Sequence, residues 1–111
     1  MGDATGIGPE IVAKTLSAEE TYRICRPVVI GDARVMADAI LLAHASLKIF
    51  PLKKWEDVSG QAGRLELFDR ANLDPEEYKM GEVSPRAGKA CLEYVEWTIP
   101  QGMHGQAQAM V

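Results

Sequence analysis

From residue 26 to residue 69 the chain switches repeatedly between short apolar runs and apolar residues spaced three and four apart. No other feature narrows its possible folds as much. "RPVVIGD" is a β-branched run closed by glycine, the pattern of a buried strand. Asp32 stands where it can cap a following helix, "ARVMADAILLAHA", with Val35, Met36, Ala39, Ile40 and Ala43 on its inner face. "SLKIF" is a second strand candidate, stopped by Pro51. "GRLELFD" is a third, alternating apolar and polar residues. A helix also precedes the first strand. Pro9 suits its first turn, Glu10 suits the helix dipole, and Ile11, Val12, Thr15 and Leu16 share a face. Strands alternating with helices predict an α/β fold with a parallel sheet.

From Ala71 to Pro85 the chain is polar and turn-rich and reads as an exposed connection. Ser84 and Pro85 then open a helix with the clearest period in the chain: Ala87, Ala90, Cys91, Tyr94, Val95 and Thr98. Pro100 removes a backbone donor and clashes with the preceding turn, at a cost of about 3 kcal/mol, so the helix is expected to stop there. The tail ends in "AQAMV", the beginning of a further strand pattern. With no repeat, low-complexity tract or linker, residues 1–111 read as part of one domain.

A net charge of −4 and a pI near 5.1 argue against a nucleic-acid partner, which selects a basic face. The densest basic patch, Lys53 and Lys54, reads as solvated surface. No apolar stretch reaches the ~18–20 residues that span a bilayer, and no charged-then-apolar leader pattern opens the chain. Cys25 and Cys91 fit no zinc or redox spacing and are expected to be reduced, buried and small-apolar in character, in a cytoplasmic protein.

"GDATGIGPE" carries the chemical content. Gly2, Gly6 and Gly8 permit positive φ and close backbone approach, and a helix starting near Pro9 offers unpaired N–H groups to an anion. Two standard phosphate fingerprints fail here: the third glycine of GxGxxG is absent, and no Lys-Ser or Lys-Thr follows to complete a P-loop. From local chemistry alone, a plain strand-to-helix turn and a phosphate-binding turn stand level.

"MGDATGIGPEIVAKTL" resembles the N-terminal motif of the 4-hydroxythreonine-4-phosphate dehydrogenase family of vitamin B6 biosynthesis, with Ala4 and Thr5 in place of the family's Pro-Ala pair. "RPVVIGDARVM" is similar to that family's second strand and turn, and "GEVSPRAGKACLEYVE" to its Gly-x-Val, Ala-Gly and long-helix segment. Isocitrate and isopropylmalate dehydrogenases share a shorter form of the first motif. The resemblance implies an α/β fold of the isocitrate/isopropylmalate dehydrogenase type. It also implies oxidation and decarboxylation of a 4-phosphorylated hydroxy acid, such as 4-phosphohydroxy-L-threonine, with NAD and a divalent metal (zinc, magnesium or cobalt). The implied enzyme is a homodimer with its site near the subunit interface. Asp3, Gly6, Ile7, Gly8 and Pro9 become candidates for a cofactor-side loop.

The same resemblance places a first strand before Met1, and the Thr-Ala-Pro segment, His-Thr pair and metal-ligating histidines after Val111. These residues are therefore expected to be the N-terminal part of a dehydrogenase, whether a gene remnant, a partial reading frame or a cut-down piece, without activity alone. His44, near a helix end, is expected to have a surface role; His104 lies sixty positions on, between Gly102 and Gly105, and no metal role is assigned to either. Two alternatives from other classes remain open: a stand-alone α/β module binding nucleotide or phosphate, and an interaction protein pairing through an exposed sheet edge.

Overall fold

The computed structural model describes residues 1–111 apart from the side chain of Pro75. In chain order it forms α1 (Gly8–Leu16), α2 (Glu19–Ile24), β1 (Val29–Gly31), α3 (Ala33–Leu42), β2 (Lys48–Pro51), β3 (Arg64–Asp69) and α4 (Pro85–Met103), with short 3-10 turns at Trp55–Asp57 and Pro75–Glu77. The strands make one parallel sheet in the order β1-β3-β2, with Val29 opposite Leu67 and Ile49 opposite Leu65. On one face, Ala13 and Leu16 of α1 and Met36 and Ala39 of α3 pack against Val29, Leu65 and Leu67. On the other, Ala87, Ala90 and Tyr94 of α4 pack with Ile30 and Phe68. The predicted parallel α/β architecture is the observed one.

Several expectations need correction. β3 is buried on both faces, not half-buried, because the third strand in sequence is the central strand in space. Glu66, which looked like an outward polar position, is buried with its carboxylate accepting from Ser59 N (3.0 Å), Gly60 N (3.1 Å) and the Ser59 hydroxyl. In α1 the inner face runs through Pro9, Ala13 and Leu16, which leaves Ile11 and Thr15 exposed. Cys25 is exposed at the end of α2, a helix with no buried residue, and Cys91 is half-buried; both thiols are free. The connection before α4 is exposed for most of its length, but Leu73 is buried within it.

Pro100 does not stop α4. The residue is exposed, and the turn beyond it is held from outside. Trp55 Nε1 donates to Gln101 Oε1 (3.0 Å), and Trp55 and Trp97 stack beside Phe68. The helix then closes in a Schellman turn, with Gln106 N donating to Gln101 O (2.9 Å) and Gly105 N to Gly102 O (3.0 Å) around Gly105 at φ 75°. α3 closes in the same way, with Ala45 N on Ile40 O (3.0 Å) and His44 N on Leu41 O (3.1 Å), but His44 occupies the left-handed position at φ 51°. Both histidines are exposed residues at separate helix ends, and His44 lies on the surface as expected.

Candidate functional site at the opening loop

The opening loop lies at the carboxyl end of β1, the edge where open α/β sheets receive ligands. Met1 anchors it. Met1 N donates to Ile30 O (2.9 Å), Met1 Sδ accepts from Asp32 N (3.4 Å), and a methyl at Gly31 would sit 2.5 Å from that sulfur. Gly31 therefore leaves room for Met1 to lie over the strand. The chain reverses at Gly2, where φ is 77°. Ala4 then drops into the α4-side core, which pins the loop from below.

Asp3 shapes the next turn. Its Oδ1 accepts from Thr5 N and from Thr5 Oγ1, each at 2.9 Å, and Gly6 N donates to Asp3 O at 3.2 Å. This Asx-type turn spends the Asp3 carboxylate on the loop itself. Thr5 O accepts from Gly81 N (2.8 Å), tying the loop to the connection that precedes α4. At Gly8 an added methyl would lie 2.7 Å from Met1 O, so two backbone segments touch where only glycine fits.

The five candidate residues thus fall in one loop with different faces. Asp3, Gly6 and Ile7 are exposed, Gly8 is half-buried against Met1, and Pro9 is buried in the second helical position. Ile7 makes no side-chain cap for α1, and with Pro9 lacking an N–H, the first turn leaves the N–H groups of Gly8 and Glu10 without a side-chain cap. Such an end favours negative charge by roughly 0.3–1 kcal/mol.

A second polar cluster supports this edge from behind. Asp32 is fully buried, and its carboxylate accepts from Arg34 N, Arg34 Nε, Arg34 Nη2 and Leu73 N at 2.9, 3.1, 2.9 and 3.1 Å. Burial alone would push its pKa up, but the hydrogen bonds from Arg34 and Leu73 and the Arg34 charge outweigh it and hold the carboxyl below its ordinary value. Asp69, ending β3, accepts from Ala33 N (3.1 Å) and Ala71 N (3.0 Å). Tyr94 OH donates to Asn72 Oδ1 (2.8 Å), and Asn72 Nδ2 to Glu93 (2.5 Å). The sequence marked Asp32 as a helix cap; its bond to Leu73 spans 41 positions and left no local signal.

The residues present do not fit a metal. Among the described residues no cluster of three His, Cys, Asp or Glu side chains is placed to hold an ion. Among them, too, no helix is long and apolar enough to cross a membrane.

A family model described as pyridoxal phosphate biosynthetic protein PdxA matches residues 23–111. A relative from Clostridium botulinum (strain Hall), carrying the provisional name D-threonate 4-phosphate dehydrogenase, is 37% identical over 110 residues, covering 99% of this chain and 33% of its own. One with the same provisional name from Fusobacterium nucleatum is 36% identical with the same coverage. The crystal structure of a 4-hydroxythreonine-4-phosphate dehydrogenase from Burkholderia phymatum matches with a TM-score of 0.89 at 30% identity, over 96% of this chain and 32% of that one. The Klebsiella pneumoniae protein of that name, with a TM-score of 0.84 at 24% identity over 96% of this chain and 32% of its own, bears on the fold alone. The chain spans about a third of the length of the relatives it matches.

Proposed function

Because the chain belongs to the family of the pyridoxal phosphate biosynthetic protein PdxA, we propose that it forms the glycine-loop part of a dehydrogenase acting on a phosphorylated hydroxy acid. The observation that carries this reading is the loop itself. It is held rigid from below, exposed above, and set at the carboxyl end of β1 beside an uncapped helix start. NAD, when bound, accepts the hydride. In this reading the loop receives an anionic portion of that cofactor: Gly6 and the first-turn N–H groups face it, Ile7 covers it, and Gly8 and Pro9 set the angle at which α1 starts. Asp3 holds the turn through Thr5. A divalent metal would polarise the substrate's hydroxyl oxygen, but the described residues offer it no ligand set. The names of the relatives point to D-threonate 4-phosphate or 4-phosphohydroxy-L-threonine as substrate; that the enzyme works as a cytoplasmic homodimer is part of the same proposal.

The test joins residues 1–111 to the two thirds of the Clostridium botulinum relative that lie outside the match. The joined protein is expected to reduce NAD with one of these two phosphorylated acids, to stop on chelation, and to lose NAD affinity in a Gly6→Asp variant. The 111-residue chain alone is expected to be inactive. A well-folded joined protein that oxidises neither acid sinks the reading. Tight nucleotide binding by the 111-residue chain alone would favour a stand-alone binding module instead.

A further inference from the structure

Residues 74–83 form a strap between the buried Leu73 and the start of α4, and the strap is stapled to itself. Asp74 and Glu77 make a reciprocal capping box, Arg86 Nε of α4 donates to Glu77 at 3.1 Å, and Glu82 N donates to Lys79 O at 3.1 Å to close a tight turn. Gly81 is the third residue of that turn, at φ 81°, where a type II turn requires a positive φ. A methyl added there would meet nothing within 4 Å. What the turn presents to the rest of the fold is its amide: Gly81 N donates to Thr5 O at 2.8 Å. At its base the strap is fixed by Leu73 N on Asp32 (3.1 Å), and along its length by Tyr78 against the α4-side core.

The bond falls on a peptide that would otherwise be free to turn over. The Thr5–Gly6 peptide is planar, so its carbonyl and its N–H move together. Gly6 has no side chain to hinder rotation of the peptide before it. Two bonds hold the plane in one orientation: Gly81 N on Thr5 O at 2.8 Å, and Gly6 N on Asp3 O at 3.2 Å. The second lies inside the loop and moves with it. The first refers the peptide to the strap, and through the strap to Asp32 and α4. We propose that Gly81 is a positioning residue: the strap sets the orientation of the Thr5–Gly6 peptide, and with it the line along which Gly6, Ile7 and the start of α1 meet an anionic ligand. This role rests on the opening loop being the cofactor side of the site. Gly63 supplies a matched comparison. It is the third residue of the turn closed by Arg64 N on Gln61 O (3.2 Å), it too has φ 81°, and a methyl there also meets nothing within 4 Å. It stands just before β3, at the end of the parallel sheet opposite the opening loop.

The experiment pairs Gly81→Ala with Gly63→Ala in the joined protein and reads amide hydrogen exchange at Thr5 and Gly6. Both variants carry the same left-handed strain and are expected to lower Tm alike. Only Gly81→Ala is expected to speed exchange in the opening loop, by about fivefold, because strain at its turn raises the population in which the strap has let go. Gly81→Pro removes the N–H itself. It is expected to raise the KM for NAD about tenfold with kcat at saturating NAD kept, since only molecules with the loop in place bind, while Gly63→Pro stays within about twofold. Equal loop exchange in the two alanine variants overturns the proposal, as does an unchanged KM for NAD in Gly81→Pro. If the parent joined protein binds no NAD, the cofactor reading falls, and the exchange comparison alone decides whether the strap holds the peptide. Should the joined protein fail to fold, the same comparison in the 111-residue chain decides: faster exchange confined to Gly81→Ala supports the proposal, and equal exchange overturns it.

Discussion

Replacing Asp32 by Asn preserves shape and removes half of the acceptor capacity at the carboxylate that ties α3 to Leu73. The native carboxylate is fully buried. Its Oδ1 takes Arg34 N and Nε, and its Oδ2 takes Arg34 Nη2 and Leu73 N at 3.1 Å. With the amide oxygen kept at the Oδ1 position, the α3 cap survives. The NH₂ group then faces two donors, and the buried Leu73 N–H is stranded at a cost of about 1–3 kcal/mol. Arg34 is partly exposed, so its lost ion pair adds no more than about 1 kcal/mol. The expected loss is about 3 kcal/mol, or a fall of about 12 °C in Tm for a chain of this size. Urea unfolding followed by circular dichroism at pH 7 measures it, with the midpoint lower and the slope unchanged. The sign with pH follows from the depressed carboxyl. Its contribution is complete above the unfolded value of about 3.9 and is lost as pH falls through the lower folded value. Wild type should therefore converge on Asp32→Asn below about pH 4. A difference under about 1 kcal/mol at pH 7, or one that persists undiminished at low pH, refutes the assignment of Asp32 as the charged tie between α3 and Leu73.

Four further outcomes are expected. His44→Gly should stabilise the chain by about 1 kcal/mol in thermal unfolding, because a side chain is strained at the left-handed closing position of α3. Gly105→Ala, at the matching position of α4, should destabilise by a similar ~1 kcal/mol, and equal signs for the two would contradict the shared geometry. Pro100→Ala should raise Tm, by an equivalent of about 1–3 kcal/mol, with little change in helical dichroism, since α4 already runs to Met103. Gly8→Ala should cost about 1–3 kcal/mol in urea unfolding and weaken NAD binding in the joined protein, because its methyl would press on Met1 O, a backbone atom that cannot swing aside.

The elements that sequence reasoning placed correctly are those whose determinants are local. Val28 to Ile30 is a consecutive apolar run, and both faces of β1 are covered. Ser84 and Asp32 cap helices through bonds to Ala87 N and Arg34 N, within three residues of themselves. The misreadings at Glu66 and Pro100 share one cause, a partner far along the chain. Glu66 alternates like a solvent-facing residue, yet the order β1-β3-β2 puts its strand in the middle, and only the turn at Ser59 and Gly60 makes its burial tolerable. Pro100 breaks a helix by the local rule. Trp55 and Phe68, far from α4 in sequence, stack with its Trp97, and Trp55 bonds Gln101 just past the proline.

The opening loop divides along the same line. Its glycines and the proline of α1 were legible because turn geometry and helix starts are properties of neighbouring residues. What makes the loop rigid was not, because it comes from Met1 lying over Ile30 and Gly31, Ala4 entering the core of α4, and Gly81 closing on Thr5. That rigidity bears on function. A loop ordered before its ligand arrives avoids the entropy of fixing about 1–2 kcal/mol per backbone residue on binding. The Asp3 carboxylate fits the same logic: bound to Thr5, it is spent on shape and leaves the anion-favouring helix start beside it to act alone. Asp3→Ala should then loosen the loop rather than remove a ligand contact. NAD binding in the joined protein should weaken with a more unfavourable entropy, whereas a lost direct contact would appear mainly in the enthalpy.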